Sequence, residues 1–184
     1  MSKVLTFIAG LLLAIIAKAQ PVAGDSATSK RERDYLFRHE LTHARVLSAW
    51  AATNLVVGGT AMFFSQGEAH QFHHMNAAWG SINLLVGGSM WYKVRHPKLP
   101  FSSQSVAQKS TQFKRLLLIN VGLDLAYLAT GLLLHQQASG ENQAVFHGFG
   151  KSIMLQGGAL LTLDVTSLLL LTSHQKRFRN HLLH

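Results

Sequence analysis

Four long apolar stretches constrain the fold of this chain more than any other feature. They are 18 to 22 residues long and cover residues 46–64, 75–92, 116–134 and 152–173. Asp124 and Asp164 are the two charged residues within them. At about 1.5 Å per residue, each stretch is long enough as a helix to cross the hydrocarbon core of a bilayer. The pattern predicts an all-α, polytopic membrane protein with a four-helix transmembrane bundle.

Composition supports this interpretation and excludes some classes of function. Hydrophobic residues make up 48% of the chain and charged residues 14%, with a net charge of +9. The basic residues flank the apolar stretches, so we interpret them as contacts with the lipid bilayer and predict no nucleic-acid partner. There is no cysteine, which excludes disulfides, thiolate metal sites and a thiol nucleophile.

The first 19 residues have the three parts of a secretory signal peptide. Lys3 precedes a short apolar run, which ends at the small-residue pattern Ala17-Lys18-Ala19. We therefore predict cleavage after Ala19, leaving a polar, interfacial segment before the membrane domain. The predicted organisation is a signal peptide at 1–19, the polar segment at 20–43, the four-span domain at 44–173 and a basic tail at 174–184.

Charge bias and the signal peptide disagree about orientation. Of 17 Lys and Arg residues, 14 lie on one side of the four-span arrangement, and Lys151 lies on the other. The positive-inside rule places the crowded side in the cytoplasm, whereas a cleaved signal peptide places it outside. An uncleaved first helix, giving five spans, would reconcile them. We predict a multi-pass protein of the bacterial inner membrane and leave its orientation open.

The first two stretches contain an internal repeat at an offset of 29 residues. The copies are Trp50-x-x-x-Asn54-Leu55-x-Val57-Gly58-Gly59 and Trp79-x-x-x-Asn83-Leu84-x-Val86-Gly87-Gly88. Trp, Asn and the first Gly share one helix face in each copy, and small residues there favour close helix packing. Consecutive spans are antiparallel, so the copies would form an inverted repeat, or else a duplicated packing motif without a site.

Polar residues within the apolar stretches predict a seam through the bundle. An ionisable side chain in a span costs several kcal/mol unless it is paired or neutral, so it indicates a functional site by default. Asn120 shares a helix face with Asp124, as Gln156 does with Asp164. The predicted seam consists of Asn54, Asn83, Asn120, Asp124, Gln156 and Asp164. The alternative is that these residues only hold the helices together.

We therefore expect a non-enzymatic bundle whose seam binds a small ligand, an ion or a partner helix. That helix could belong to a second copy of the chain. This hypothesis requires no cofactor.

An enzymatic alternative comes from His39-Glu40-Leu41-Thr42-His43, which matches the HExxH pattern of zinc metalloproteases. In that pattern two histidines one helical turn apart bind zinc and the glutamate is the general base. A third ligand is also needed, and no candidate lies at a short, typical spacing. An interfacial helix with solvated histidines explains the same residues.

A second alternative is metal or haem binding by Glu68-x-His70-x-x-His73-His74. His70, His73 and His74 share a helix face at the predicted membrane boundary, where they could hold a metal ion or provide an axial haem ligand. Contacts with lipid headgroups explain the same three histidines without a cofactor.

Three segments give the chain its resemblance to a known family. They are Phe72-His73-His74-Met75-Asn76-Ala77-Ala78-Trp79, Asn120-Val121-Gly122-Leu123-Asp124-Leu125-Ala126-Tyr127 and Gly148-Phe149-Gly150-Lys151-Ser152-Ile153-Met154-Leu155-Gln156-Gly157-Gly158. From about Trp50 to Leu171 the chain resembles an uncharacterised family of small Gram-negative bacterial membrane proteins. The resemblance implies a leader and a four-helix membrane core, and it implies no activity. His39-Glu40-x-x-His43 lies outside it.

Overall fold

A computed structural model describes residues 27–96 and 103–182 of the chain. The predicted signal peptide, and Pro97 and Pro100 in the connector, lie outside the described residues. Four long helices make up nearly all of this part, which contains no strand: α1 (Ala27–Ala61), α2 (Gly67–Arg95), α3 (Ser103–Gln136) and α4 (Gln143–Leu182). The predicted all-α class with four long helices is therefore confirmed.

One short connection turns the chain back within each of the two helix pairs. A 3₁₀ turn at Met62–Phe64 precedes α2, and another at Gly140–Asn142 precedes α4. Gly67 and Gly140 adopt positive φ angles of 56° and 58°, a conformation that is costly for residues with a Cβ. Each glycine follows a residue with an extended backbone. The chain can therefore reverse within a few residues and form two antiparallel hairpins.

The two hairpins pack together mainly through α2 and α4. Within each hairpin the helices are in contact along much of their length, whereas α1 meets α3 and α4 over a smaller area. Gly80 shows how closely α1 and α2 approach within the first hairpin, because a Cβ at Gly80 would lie 2.6 Å from the backbone nitrogen of Leu55. Small residues at such contacts let helix backbones approach without side chains between them.

Three of the described helices are long and apolar enough to cross a membrane. They are α1, α3 and α4, whose apolar segments, including the 3₁₀ turns beside α1 and α4, cover Lys30–Phe64, Val106–Gln136 and Gly140–Arg177. The predicted second span lies within α2, which is not among them, although it is 29 residues long. Its middle contains Asn, Ser and Gly residues, which lower its mean hydropathy.

Apolar and polar side chains are distributed unlike those of a soluble bundle. Large apolar residues such as Val56, Leu85 and Leu169 are exposed, and Leu85 is 75% exposed. The middle of the bundle instead buries polar side chains, and an apolar cluster built around Phe113 and Leu117 lies towards one end. An apolar exterior is what contact with lipid requires.

Candidate functional site: a buried polar seam

Gln156 is the centre of a hydrogen-bonded network that joins three helices. Its side chain, on α4, is completely buried. Trp50 Nε1 on α1 donates to Gln156 Oε1 at 2.9 Å. Gln156 Nε2 donates to Asn54 Oδ1 on α1 and to Asn76 Oδ1 on α2, both at 2.9 Å. One amide side chain thus ties α1 and α2 to α4.

Two further hydrogen bonds complete this network. Ser152 Oγ donates to Asn76 Oδ1 at 2.7 Å, and Asn54 Nδ2 donates to the Trp50 carbonyl oxygen at 2.7 Å. Buried amides are stabilising when their polar atoms are satisfied and costly when they are not. The Gln156 network therefore has the properties of a structural connection between helices.

Asp124 on α3 and Asp164 on α4 form the second part of the seam. They are 2% and 4% exposed, respectively. The two carboxyl groups are close enough to interact electrostatically, and Asn120 lies near Asp164. Asp124 Oδ2 and Asp164 Oδ1 are buried and have no hydrogen-bond partner among the described residues. Two carboxyl groups from different helices thus meet in the interior.

A close helix crossing brings these carboxyl groups together. Gly157 on α4 lies against the α3 backbone, where a Cβ would be 3.0 Å from the Asp124 carbonyl oxygen. Asp164 lies seven residues after Gly157, about two helical turns, and therefore on the same face of α4. The glycine allows α3 to approach that face closely.

His43 on α1 places a basic group beside the aspartate pair. Its Nδ1 is hydrogen-bonded to Ser167 Oγ at 2.8 Å, and its Nε2 lies 3.3 Å from Asp164 Oδ1. Phe113 packs edge-on against the ring, with the ring centroids 5.7 Å apart. The described part of the chain thus holds an imidazole and two carboxyl groups in one buried cluster.

Asn83 is the remaining predicted member of the seam. It is 6% exposed, and its Nδ2 has no hydrogen-bond partner among the described residues. Asn76 and Asn83 are seven residues apart and share a face of α2. Asn83 therefore presents an unsatisfied amide on the face whose other asparagine joins the Gln156 network.

Both histidines of the HExxH motif contact Ser167 on α4, whereas Glu40 lies in a separate recess. His39 Nε2 is hydrogen-bonded to the Ser167 carbonyl oxygen at 2.9 Å, and His43 faces Asp164. Glu40 lines a small recess with Lys109. No group of three His, Asp or Glu residues in the described segments is arranged to hold a metal ion. Zinc at His39 and His43 stays a prediction.

The second histidine cluster also does not converge on one point. His70 Nδ1 is hydrogen-bonded to the Met62 carbonyl oxygen at 2.8 Å, and the His70 and His74 ring centroids are 6.3 Å apart. His74 packs edge-on against Phe149, and His73 against Phe72. Haem or metal binding by these histidines stays a prediction.

Some members of the site are absent from the predicted seam. Asn76, Ser152 and Ser167 lie within the apolar stretches, and Ser152 is one turn before Gln156, so helical spacing could have identified them. The HExxH pattern offers His43 as a zinc ligand or as a solvated histidine of an interfacial helix, whereas the structure buries it. No local pattern indicates that it faces Asp164, because the two residues are 121 positions apart in the sequence.

Comparison with known families gives one match. The model for the Family of unknown function (DUF6992) covers residues 46–165, which include all six predicted seam residues. Family models thus confirm the resemblance to an uncharacterised family, and their match begins after His43. No curated protein and no solved structure matches the chain.

Proposed function

Because the chain belongs to the family of unknown function DUF6992, we propose a function from the site itself. The protein is a non-enzymatic, multi-pass bundle of the bacterial inner membrane whose buried aspartate pair binds and releases a proton. The observation that carries this proposal is the burial of Asp124 and Asp164 near each other in the interior of an apolar bundle. The Gln156 network joins α4, which carries Asp164, to α1 and α2.

The membrane part of the proposal rests on the exterior of the helices. Three of them are long and apolar enough to span, and we include α2 as a fourth span. The polar residues that lower the hydropathy of α2, such as Asn76, Gly80 and Asn83, are buried against other helices. Leu85 and Trp91 are exposed and would face lipid. The composition of α2 therefore suits a span that is also a packing surface.

A proton suits the aspartate pair for electrostatic reasons. Two adjacent carboxylates in an apolar interior repel each other and lose hydration, so full ionisation of both is unfavourable. One proton shared between them removes one charge and supplies a hydrogen-bond donor to the other carboxylate. A proton also needs no cavity and no third ligand, unlike a metal ion.

The surrounding residues have distinct roles in this proposal. Asn120 is a neutral amide near Asp164, so it can stabilise the carboxyl group without adding charge. His43, held by Ser167, lies where it can exchange a proton with Asp164 Oδ1. Asn83 is a further neutral donor on the neighbouring helix α2. Together they allow the charge of the pair to change without unfolding the bundle.

Infrared spectroscopy of the purified full chain tests this function. A protonated carboxyl group has a distinct carbonyl stretching band, which disappears as the pH is raised. The other carboxyl groups contribute bands of their own, so the measured quantity is the difference between variants. We expect the wild type to have one titrating band that is absent when Asp124→Asn and Asp164→Asn are combined. Glu141→Gln, which removes an exposed carboxyl group at the turn before α4, is the matched control and should keep the band.

If the wild type and the double aspartate variant have the same carboxyl bands at every pH, the proposal is wrong. Circular dichroism and gel filtration in detergent check that the variant is folded. If it is not, the single variants Asp124→Asn and Asp164→Asn should each change the position or the midpoint of the band.

A purely structural role for the seam is the second candidate function. The satisfied Gln156 network favours it, because such a network stabilises helix association without any ligand. It predicts a double aspartate variant that assembles and supports growth like the wild type, with the same titrating carboxyl bands in both proteins.

A further inference from the structure

A cleft at one end of the bundle is separate from the polar seam. It has a volume of about 470 Å³ and lies between the N-terminal turns of α1 and the C-terminal part of α4. Its lining residues are Lys30, Arg31, Asp34, Tyr35, Arg38 and His174. Small-molecule sites are commonly a few hundred Å³ in volume, so the cleft can accept a compact ligand group.

The charge of the cleft favours an anion. Lys30, Arg31 and Arg38 supply three cationic side chains, against one carboxylate from Asp34. Asp34 Oδ1 lies 3.7 Å from Arg33 Nε, so part of its charge is balanced by that arginine. Glu32 and Arg177 also lie near Tyr35 and add charges of opposite sign. The cleft therefore keeps an excess of positive charge.

The wall of the cleft is held in place by contacts of its own. The rings of Tyr35 and His174 are stacked, with centroids 3.4 Å apart and an interplanar angle of 5°. Tyr35 Oη donates to the Leu170 carbonyl oxygen at 3.1 Å. His174 Nε2 is hydrogen-bonded to Glu32 Oε1 at 2.8 Å, which directs this carboxylate to the histidine. The cationic side chains thus surround a fixed aromatic surface that joins two helices.

Arg38 places one edge of the cleft near the expected membrane surface. Arg38 lies eight residues before Val46, where the first apolar stretch begins. At about 1.5 Å per residue, this places its Cα about 12 Å beyond the apolar stretch, within reach of the headgroup layer for a long side chain.

We propose that this cleft binds a phosphate-bearing anion, with Lys30, Arg31 and Arg38 contacting the phosphate oxygens and the Tyr35 and His174 pair forming the wall. Arginine and lysine are the side chains that bind phosphate most strongly, through charge-assisted hydrogen bonds. The phosphate can belong to an anionic lipid headgroup or to a soluble phosphate compound. The site is independent of the aspartate pair.

Calorimetric titration of the full chain in a non-ionic detergent tests this inference. The two probes are short-chain phosphatidylglycerol and inorganic phosphate. The cleft variant Lys30→Gln, Arg31→Gln and Arg38→Gln removes three cationic residues that are all exposed, so the fold should persist. We expect the affinity for the bound probe to fall about tenfold or more in this variant.

A second triple variant is the matched control. This control combines Lys93→Gln, Lys114→Gln and Arg115→Gln. It removes the same number of charges from the end of the bundle that carries the cleft, and none of the three residues lines the cleft. Its affinity should stay within about twofold of the wild type. Saturable binding of the phosphatidylglycerol alone identifies a lipid headgroup as the ligand. Saturable binding of inorganic phosphate, in competition with the lipid, identifies a soluble phosphate compound.

Equal losses in the cleft variant and the control would overturn the inference, because they indicate only general electrostatic attraction. Absence of saturable binding of both probes would also overturn it. The single charge reversal Arg38→Glu gives a second comparison, and it should weaken binding more than Lys114→Glu.

Discussion

Individual polar atoms separate the structural part of the seam from the part that we propose to be functional. Gln156 has both ends of its amide engaged, and Asn76 accepts two hydrogen bonds. By contrast, Asp124, Asp164 and Asn83 each have a buried side-chain atom that makes no hydrogen bond to the described residues. Unsatisfied buried polar atoms are costly, so proteins keep few of them, often at functional sites.

Adjacent glycines on α1 provide a test of the helix contacts. A Cβ at Gly58 would lie 2.8 Å from the His73 carbonyl oxygen and 2.9 Å from the Ala77 nitrogen, both backbone atoms of α2, whereas Gly59 has nothing within 4 Å. We expect Gly58→Ala to destabilise the bundle by about 1–3 kcal/mol, because the two backbones must separate. Thermal unfolding in detergent measures this.

Gly59→Ala is the matched control for that substitution. It adds the same methyl group one residue further along α1, and should be neutral or slightly stabilising because alanine favours helix. Equal stabilities for the two variants would contradict the close approach of α1 and α2.

At the scale of helices, the two copies of the sequence repeat share some contacts and differ in others. The first glycine of each pair, Gly58 or Gly87, lies against the partner helix, and the second has open space. Trp50 donates to Gln156, whereas Trp79 packs edge-on against Tyr127. Equivalent positions in the sequence therefore meet different neighbours, because α1 and α2 occupy different places in the bundle.

A charged cluster fastens α2 to α4 at the end opposite the cleft. Lys151 donates to Glu68 Oε1, and His147 Nδ1 lies 3.3 Å from Glu68 Oε2. The hydrogen bond from Lys151 lowers the pKa of Glu68 below its ordinary value of 4.5, and the charge of Lys151 and the contact with His147 act in the same direction. The carboxylate thus contributes stability at pH values above its unfolded-state pKa, and loses it as the pH falls through its folded-state pKa.

The comparison of wild type with Glu68→Gln across pH tests this cluster. We expect the wild type to have the higher melting temperature at neutral pH, and the difference to shrink once the pH falls well below 4.5. The effect should be modest because the carboxylate is accessible to solvent. Glu141→Gln should give no comparable pH-dependent difference, and a constant difference for Glu68→Gln would contradict a role for the carboxylate charge.

For the whole molecule, the question is whether α2 crosses the membrane with the other three helices. Four spans place the turns before α2 and α4 on one side, and the basic ends of α2 and α4 on the other. The chain has no cysteine, so single-cysteine variants can report the side of each position.

Labelling of sealed vesicles with a membrane-impermeant maleimide measures this arrangement. Gln66→Cys and Ser139→Cys should react from one side, and Lys93→Cys and Lys176→Cys from the other. Permeabilised vesicles, in which all four should react, are the control. Reaction of Gln66→Cys and Lys93→Cys from the same side would exclude α2 as a span. The labelled side also decides between the orientations favoured by the signal peptide and by the charge bias.

The sequence by itself determined the helical class and the four long helices, and it singled out the polar residues of the predicted seam. Apolar length and helical period are local properties, and a polar residue such as Asp124 is conspicuous inside an apolar stretch. Spacing alone also shows that the seam residues of a given helix lie on one face of that helix.

Only the tertiary structure decided which of these residues meet. Three features depend on the register between α1 and α4: the contact of His43 with Asp164, the hydrogen bond between Trp50 and Gln156, and the cleft beside His174. That register is set by packing of residues more than a hundred positions apart. No local pattern encodes it, because a helix of a given sequence can rotate or slide against its neighbour until glycines and buried amides fix its position.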